Sequence, residues 1–448
     1  MSESLSVALL GACALAMSAC SWGRFDDLTS DAPVVVLERP GEIRSGFGTS
    51  LSSVTDGDGR ALLLVHGTSG YAQAALYELG AGDSPLTDAL SDGVCSNDAG
   101  TCYLGSSSAP LRRAIGPSGK EFSNCFAVGV GNSSIDVEPG VVVECESRDG
   151  FKLGVPEAFA GVLRASLDSK EPKIVALASD ESLNPALAVG SGEDRSAFFY
   201  PALDADPVSL LPSEVAAEGF GGTVALALVG KRRLIAVGTP ARAELHLFVA
   251  DEGEEPVHLG CIQGADGFSR SLAVGEIASD GTPELVVADA AEVHVLDSGA
   301  LLELAPRKGC AALSDLPPAA LYASVGCSET GAVTGCAASE FGAALAVGDV
   351  DGDGDGELVV GAPGMKVRDH SSAGALAFFD LDVPGEGRAA EVKFVASAKK
   401  GDRLGSSLAA ARVASRHVVA AGIPGSGRTA IFYCPSLLPE SLGGARCD

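Results

Sequence analysis

Long amphipathic helical patterns are missing from this 448-residue chain, and aromatic residues make up only 5% of it. A protein built mainly of helices is therefore excluded. Positive charge is scarce, with 31 Lys and Arg against 59 Asp and Glu and a formal net charge of −28. That balance argues against nucleic acid or an anionic membrane surface as a direct partner. The apolar run at residues 5–16 is too short to cross a bilayer. No Cys-x-x-Cys occurs, so neither a zinc ribbon nor a thioredoxin-like site is supported. His-Glu-x-x-His and Gly-x-Ser-x-Gly are also missing, and no paired carboxylates suited to acid–base work stand outside the acidic turns. The chain is accordingly read as a non-enzyme. A site assembled from scattered residues would leave no motif.

Glycine is abundant at 57 residues, which favours many short strands joined by tight turns. Length alone suggests about three domains, a prior that a closed repeat structure overrides. The most informative stretch is FGAALAVGDVDGDGDGELVVGAP at residues 341–363. Two apolar runs, 345–347 and 358–360, read as short buried strands. Between them Asp349, Asp351 and Asp353 alternate with other residues, followed by Asp355 and Glu357. Alternate carboxylates in such a turn can point at one hard cation, and Ca2+ takes an oxygen cage of this kind. Gly352, Gly354 and Gly356 permit the positive φ values that the loop needs. A weaker second site is conceivable at Glu276, Asp280 and Glu284, where Ala278 removes a ligand from the middle.

This strand–loop–strand unit resembles the FG-GAP repeat of integrin-type β-propellers. Comparable starts fall at Phe47, Leu104, Phe159, Phe220, Phe268, Phe341 and Leu404. The irregular spacing suits propeller blades with variable loops. The expected fold is an all-β, seven-bladed β-propeller over residues 34–448. The run Val34-Val35-Val36-Leu37 precedes every repeat, and the last repeat supplies only three strands. The N-terminal strand is therefore expected to close the last blade and protect its edge. The resemblance implies that Asp349, Asp351, Asp353 and Glu357 give side-chain oxygens to Ca2+ and Asp355 its backbone carbonyl. It also implies that a protein or glycan ligand binds the opposite face, on loops such as 66–72, 239–243, 288–291 and 366–372. The first repeat has Val54 and Leu62 at the outer ligand positions, so its Asp56-Gly57-Asp58-Gly59 turn is expected to hold no cation.

Residues 1–19 read as a signal peptide, and Met17-Ser18-Ala19-Cys20 resembles a bacterial lipobox. Lipidation at Cys20 leaves ten cysteines for pairing, whereas use of Cys13 leaves eleven, and the even count favours Cys20. Residues 20–33 then form a polar tether, and the lipid anchor is the only expected membrane contact. An outer-membrane lipoprotein of the cell envelope is the expected location, with secretion after Ala16 or Ala19 as the alternative. Ten cysteines in an exported chain read as disulfides. Nearest-neighbour pairing would give Cys95–Cys102, Cys125–Cys145, Cys261–Cys310, Cys327–Cys336 and Cys434–Cys447. Each would staple a chain end or an insertion, the larger insertions lying near 80–102 and 298–340. These loops are candidate binding elements or tolerated drift.

Gly422-Ile423-Pro424-Gly425-Ser426-Gly427-Arg428-Thr429 looks like a phosphate loop, but a strand pattern follows it where a helix is required. His246 and His294 occupy matching places in Glu244-Leu245-His246 and Glu292-Val293-His294. They suit either a metal pair or the polar face of two strands. The functional expectation is a calcium-stabilised binding or adhesion scaffold. The alternatives are a hydrolase or lyase acting on polysaccharide or lipid, and an envelope structural protein.

Overall fold

The structure is a computed structural model. It describes residues 34–432 apart from 39–45, 57–58, 68–72, 81–106, 116–120, 131–139, 148–149, 155–175, 181, 183, 192–194, 213–217, 328–332, 335, 351, 353, 382–389, 398 and 414–415. The signal peptide, the tether with Cys20, the repeat starts at Leu104 and Phe159, and the pairs Cys95–Cys102 and Cys434–Cys447 lie outside the described residues.

The protein is all-β. Among the described residues a first strand, β1 (Val34–Glu38), precedes seven sheets of three or more strands and one two-stranded sheet. The first sheet holds β2 (Phe47–Thr55), β3 (Ala61–Gly67) and β4 (Gln73–Leu79). The second holds β5 (Ser108–Ile115), β6 (Glu121–Val130), β7 (Gly140–Ser147) and β8 (Gly150–Gly154). The third holds β9 (Ala176–Ser179), β10 (Leu187–Ser191), β11 (Ser196–Tyr200) and β12 (Val208–Ser209). The fourth runs β13 (Thr223–Val229), β14 (Arg232–Thr239), β15 (Glu244–Ala250) and β16 (Val257–Gln263). The fifth opens with β17 (Ser271–Gly275), β18 (Glu284–Ala288) and β19 (Glu292–Asp297), followed by a five-residue helix, α1 (Ser298–Leu302).

Past that helix, β20 (Cys310–Ala312) joins the fourth sheet beside β16 in parallel, and β21 (Leu321–Gly326) completes the fifth sheet. The stretch read from sequence as an insertion thus supplies the outer strands of two sheets. The short β22 (Val333–Thr334) pairs with β25 (Lys366–Val367). The sixth sheet is β23 (Ala344–Gly348), β24 (Glu357–Ala362), β26 (Ala375–Asp380) and β27 (Ala390–Ala396). The seventh is β28 (Leu408–Val413), β29 (Arg416–Ile423) and β30 (Arg428–Phe432), and β1 pairs antiparallel with β30, Val34 opposite Phe432 and Glu38 opposite Arg428. That is the pairing expected of the N-terminal strand. The glycine-rich stretch at 422–429 holds the end of β29, the turn at 424–427 and the start of β30, and opens no helix.

Second strands are buried on both faces, and their sequences are correspondingly continuous apolar runs. Every residue of β3, β18 and β24 is buried. The reason lies in how the sheets stack. Each successive pair of sheets encloses one apolar cluster, giving seven clusters among the described residues. One of them joins the seventh sheet to the first, through Leu37, Phe47, Leu63, Ala420 and Ile431. First strands touch in the same order: β2 on β5, β5 on β9, β9 on β13, β13 on β17, β17 on β23, β23 on β28, and β28 on β2.

The Phe-Gly starts sit at these seams. Phe47, Phe220, Phe268, Phe341 and Leu404 are all buried. The glycine late in a second strand meets the backbone of the next sheet's start. A Cβ on Gly361 would overlap the Gly405 carbonyl oxygen, and one on Gly422 would overlap that of Gly48. Only hydrogen fits at these positions, which is the physical content of the recurring glycines.

Three of the expected disulfides are formed. Cys125–Cys145 links β6 to β7, Cys261–Cys310 ties β16 to β20, and Cys327–Cys336 closes a loop between the fifth and sixth sheets. Among the described residues no helix is long and apolar enough to cross a membrane.

Candidate functional site

The acidic loop of the sixth sheet joins β23 to β24, with Gly348 opposite Glu357 across the ladder. Asp351 and Asp353 lie outside the described residues. Asp349, Asp355 and Glu357 are described, and each has an oxygen fixed by a donor. Asp349 Oδ1 accepts the Gly352 amide at 2.6 Å. Glu357 Oε2, on a buried side chain, reaches back to the Val350 amide at 2.5 Å. Asp355 Oδ1 accepts the Ser279 hydroxyl of the neighbouring sheet at 2.7 Å, and the same hydroxyl lies 3.1 Å from the Gly354 carbonyl oxygen. Gly352 and Gly354 take φ of 85° and 110°. These are conformations that side-chain-bearing residues rarely adopt, so the alternation of Gly with Asp follows from the turn itself. The described carboxylates of this loop are hard oxygens, the type Ca2+ takes, but among the described residues no three His, Cys, Asp or Glu side chains gather into a group that could hold a metal ion.

The fifth sheet carries the same loop with a weaker donor set. Gly275 opposes Glu284 as Gly348 opposes Glu357. Glu284 Oε2 accepts the Ile277 amide at 2.7 Å, matching Glu357 on Val350. Glu276 Oε1 accepts the Gly281 amide at 2.7 Å, and Asp280 Oδ1 accepts the Thr282 amide at 2.8 Å. Ala278 stands where the sixth loop has Asp351. Burial pushes the Glu284 carboxyl up to about 7, and the Asp280 charge pushes the same way against the amide of Ile277. The two loops touch, since a Cβ on Gly356 would overlap the Glu276 carbonyl oxygen.

The first sheet's turn is shorter. Thr55 opposes Ala61, and Asp56 Oδ1 accepts the Arg60 amide at 2.9 Å. Val54 and Leu62 are buried partners in the ladder, so neither end of this turn offers a ligand. On the other flank of the sixth loop, the His417 amide donates to the Asp349 carbonyl at 2.6 Å. Burial lowers the pKa of His417, partly offset by the Asp349 charge.

The two matching histidines differ. His246 Nε2 lies 3.4 Å from Glu244 Oε2, and its Nδ1 lies 3.4 Å from His258 Nε2. His294 instead faces Asp289 at 3.1 Å and Ser324 at 2.8 Å, while Glu292 is exposed. The structure therefore places no Glu292–His294 pair, and the two rings belong to separate sheets with separate partners. Sequence reasoning missed Asp289 and Ser324, which no local spacing links to His294.

Desolvation lowers the His246 pKa to about 4, and the nearby His258 adds to it against the pull of Glu244. Between its ordinary 6.5 and about 4 the unfolded chain takes the proton and the folded chain does not. This contribution is complete above pH 6.5 and is lost as pH falls toward 4. Glu284 has the opposite sign, since its folded carboxyl holds a proton between 4.5 and about 7. We expect His246→Gln to lose less stability than the wild type between pH 6.5 and 4, read from urea midpoints at each pH. Parallel curves for the two proteins would contradict this.

Residues 341–379 match the FG-GAP repeat family model, so the chain carries an FG-GAP repeat that spans the acidic loop, β23, β24 and β26. A search of curated proteins finds no match. The fold and this repeat together define the class: an all-β protein of stacked antiparallel sheets with an FG-GAP repeat in its sixth sheet.

Proposed function

We propose that the chain is a seven-bladed β-propeller acting as a calcium-stabilised binding or adhesion scaffold of the cell envelope. The observation that carries the reading is the cyclic order of contacts, in which the seventh sheet packs on the first through its own apolar cluster. A rigid ring of this kind presents loops at both ends of its sheets, and such loops carry binding functions. Ca2+ would be held by Asp349, Asp351, Asp353 and Glu357 with the Asp355 carbonyl, and would supply a fixed charge that ties the loop together. The ligand, a protein or glycan, would sit at the opposite end, on the β14–β15 and β18–β19 turns and their neighbours. A lipid on Cys20 would hold the body at the outer membrane. Nucleic acid is no partner for a chain of net charge −28.

The experiment is scanning calorimetry of the mature protein in EGTA and in CaCl2. We expect calcium to raise the melting temperature of the wild type, and the Asp351→Ala/Asp353→Ala variant to melt at one temperature in both buffers. An unchanged wild-type melting temperature would remove calcium from the account.

A further inference from the structure

A second polar site lies at the end of the fifth sheet away from its acidic loop. Asp289, in the β18–β19 turn, accepts the amides of Ala291 and Glu292 on Oδ1 at 2.7 and 2.6 Å. Its Oδ2 lies 3.1 Å from His294 Nε2. An ionised carboxylate only accepts, so its partner nitrogen carries the ring proton. That leaves the Nδ1 lone pair to accept the Ser324 hydroxyl at 2.8 Å. His294 on β19 and Ser324 on β21 stand directly opposite each other in the ladder.

Burial of the three is graded. Asp289 and His294 are 3% and 5% exposed, whereas Ser324 is exposed. Sinking a carboxylate and an imidazole into a sheet is costly, and strand pairing needs neither. Burial raises the Asp289 pKa, but the two amides and His294 outweigh it, so the net shift is downward and the carboxylate stays charged. Arg270 stands close enough to Asp289 to feel its charge. The result is a hydrogen-bonded chain from a buried carboxylate through a buried imidazole to an exposed hydroxyl. This is the arrangement that makes a serine nucleophilic.

The geometry points to Ser324 as the nucleophile of an esterase-type site, with His294 as its general base and Asp289 as the residue that positions the ring. In the first half-reaction Ser324 Oγ bonds to the ester carbonyl carbon while its proton passes to His294 Nδ1. The bond from that carbon to the alkoxy oxygen then breaks, and His294 returns the proton to the departing alcohol. Water attacks the acyl-serine in the second half, giving one proton to His294. The acid leaves and Ser324 regains the proton. No oxidant, metal or cofactor enters the balance. The substrate class is a small acyl ester. Ser324 sits exposed on the outer strand of its sheet, which suits an ester carried on a larger molecule. The site is independent of the calcium loop and goes beyond the scaffold reading.

The test treats the mature chain with a fluorophosphonate and locates the adduct by peptide mass, with p-nitrophenyl acetate hydrolysis measured alongside. We expect a single adduct on Ser324, no adduct there in Ser324→Ala or in heat-denatured wild type, and hydrolysis reduced to the buffer rate in Ser324→Ala. Asp289→Asn keeps the turn's acceptor oxygen but spoils the ring's orientation, and should slow labelling at least about tenfold. A wild-type chain that gains no adduct on Ser324 would overturn the proposal. So would labelling of Asp289→Asn at the wild-type rate, because a merely exposed serine does not depend on Asp289.

Discussion

Phe341→Ala is expected to destabilise the fold by about 3–5 kcal/mol, the range for removing a buried aromatic from a packed core. Phe341 is fully buried. Its ring meets that of Phe379 edge-on at a centroid distance of 6.3 Å. It also shares a cluster with Ile277, Val286 and Val293 of the fifth sheet side and Leu358 and Val360 of the sixth. The side chain therefore fills the seam between two sheets, and truncating it leaves a cavity walled by both. Strands on either side are fixed by their own ladders, so the seam has little freedom to collapse. Urea unfolding followed by far-ultraviolet circular dichroism should show a lower midpoint with an unchanged slope. A loss below about 1 kcal/mol would mean that the seam relaxes freely, contrary to the packing described.

Gly422→Ala is the second large effect, and it comes from adding an atom. Gly422, on β29 of the seventh sheet, lies against the first sheet's start: a Cβ would run into the Gly48 carbonyl oxygen and the Ser407 hydroxyl. Ser407 Oγ itself donates to that carbonyl at 2.7 Å. Both neighbours are held, one as backbone and one as a bonded side chain, so neither can swing aside as a flexible side chain would. Overpacking of this kind costs typically about 1–3 kcal/mol, and more where backbone must shift. Gly48 has φ of 83° and sits next to buried Phe47, so moving its carbonyl disturbs the start of the first sheet as well. We expect Gly422→Ala to loosen the seam between the seventh and first sheets while leaving the seam between the fourth and fifth intact.

Much of this arrangement was legible in the sequence, and the reason is local. Second strands are buried on both sides, so β3, β18 and β24 read as uninterrupted apolar runs. Among the described residues the seams hold a buried Phe or Leu at five starts, Phe47, Phe220, Phe268, Phe341 and Leu404, and a glycine at close approaches such as Gly361 and Gly422. Those features recur from sheet to sheet among the described residues and so become visible as a repeat. β1 was legible because it stood alone before the first start and the last repeat lacked a fourth strand. The outer strands were not legible. β8, β12, β20 and β21 have one open flank, short lengths and mixed composition, and β20 and β21 lie inside a stretch that reads as an insertion. Cysteine spacing helped at β20, because Cys261 and Cys310, neighbours in the order of cysteines, proved to be opposite each other in the ladder.

The sites divide the same way. The acidic loop is written within nine consecutive residues, with Gly352 and Gly354 dictated by positive φ, Gly356 by its close approach to the Glu276 carbonyl rather than by the positive φ expected of it, and the carboxylates by spacing. The Asp289–His294–Ser324 set is spread over three elements: Asp289 reaches His294 from the adjoining turn, and Ser324 is brought to it by the β19–β21 register, which no single stretch of sequence encodes. The Glu244–His246 pair could be read because strand alternation puts residues two apart on one face. The parallel expectation for Glu292 and His294 failed because Asp289, held by two turn amides, reaches the ring instead.

Closure of the seven sheets into one ring is tested most directly by native-state hydrogen exchange on the β1 amides. β1 pairs with β30 along its whole length, and Leu37 is buried in the cluster that spans the seventh and first sheets. The account predicts that the hydrogen-bonded amides of Val34–Glu38 exchange as slowly as those of β30, through global unfolding. In Gly422→Ala, β1 and β30 should lose protection together, with β14 unchanged. Exchange of β1 in the wild type at the rate of an open chain end, with β30 still protected, would contradict a ring closed by the N-terminal strand.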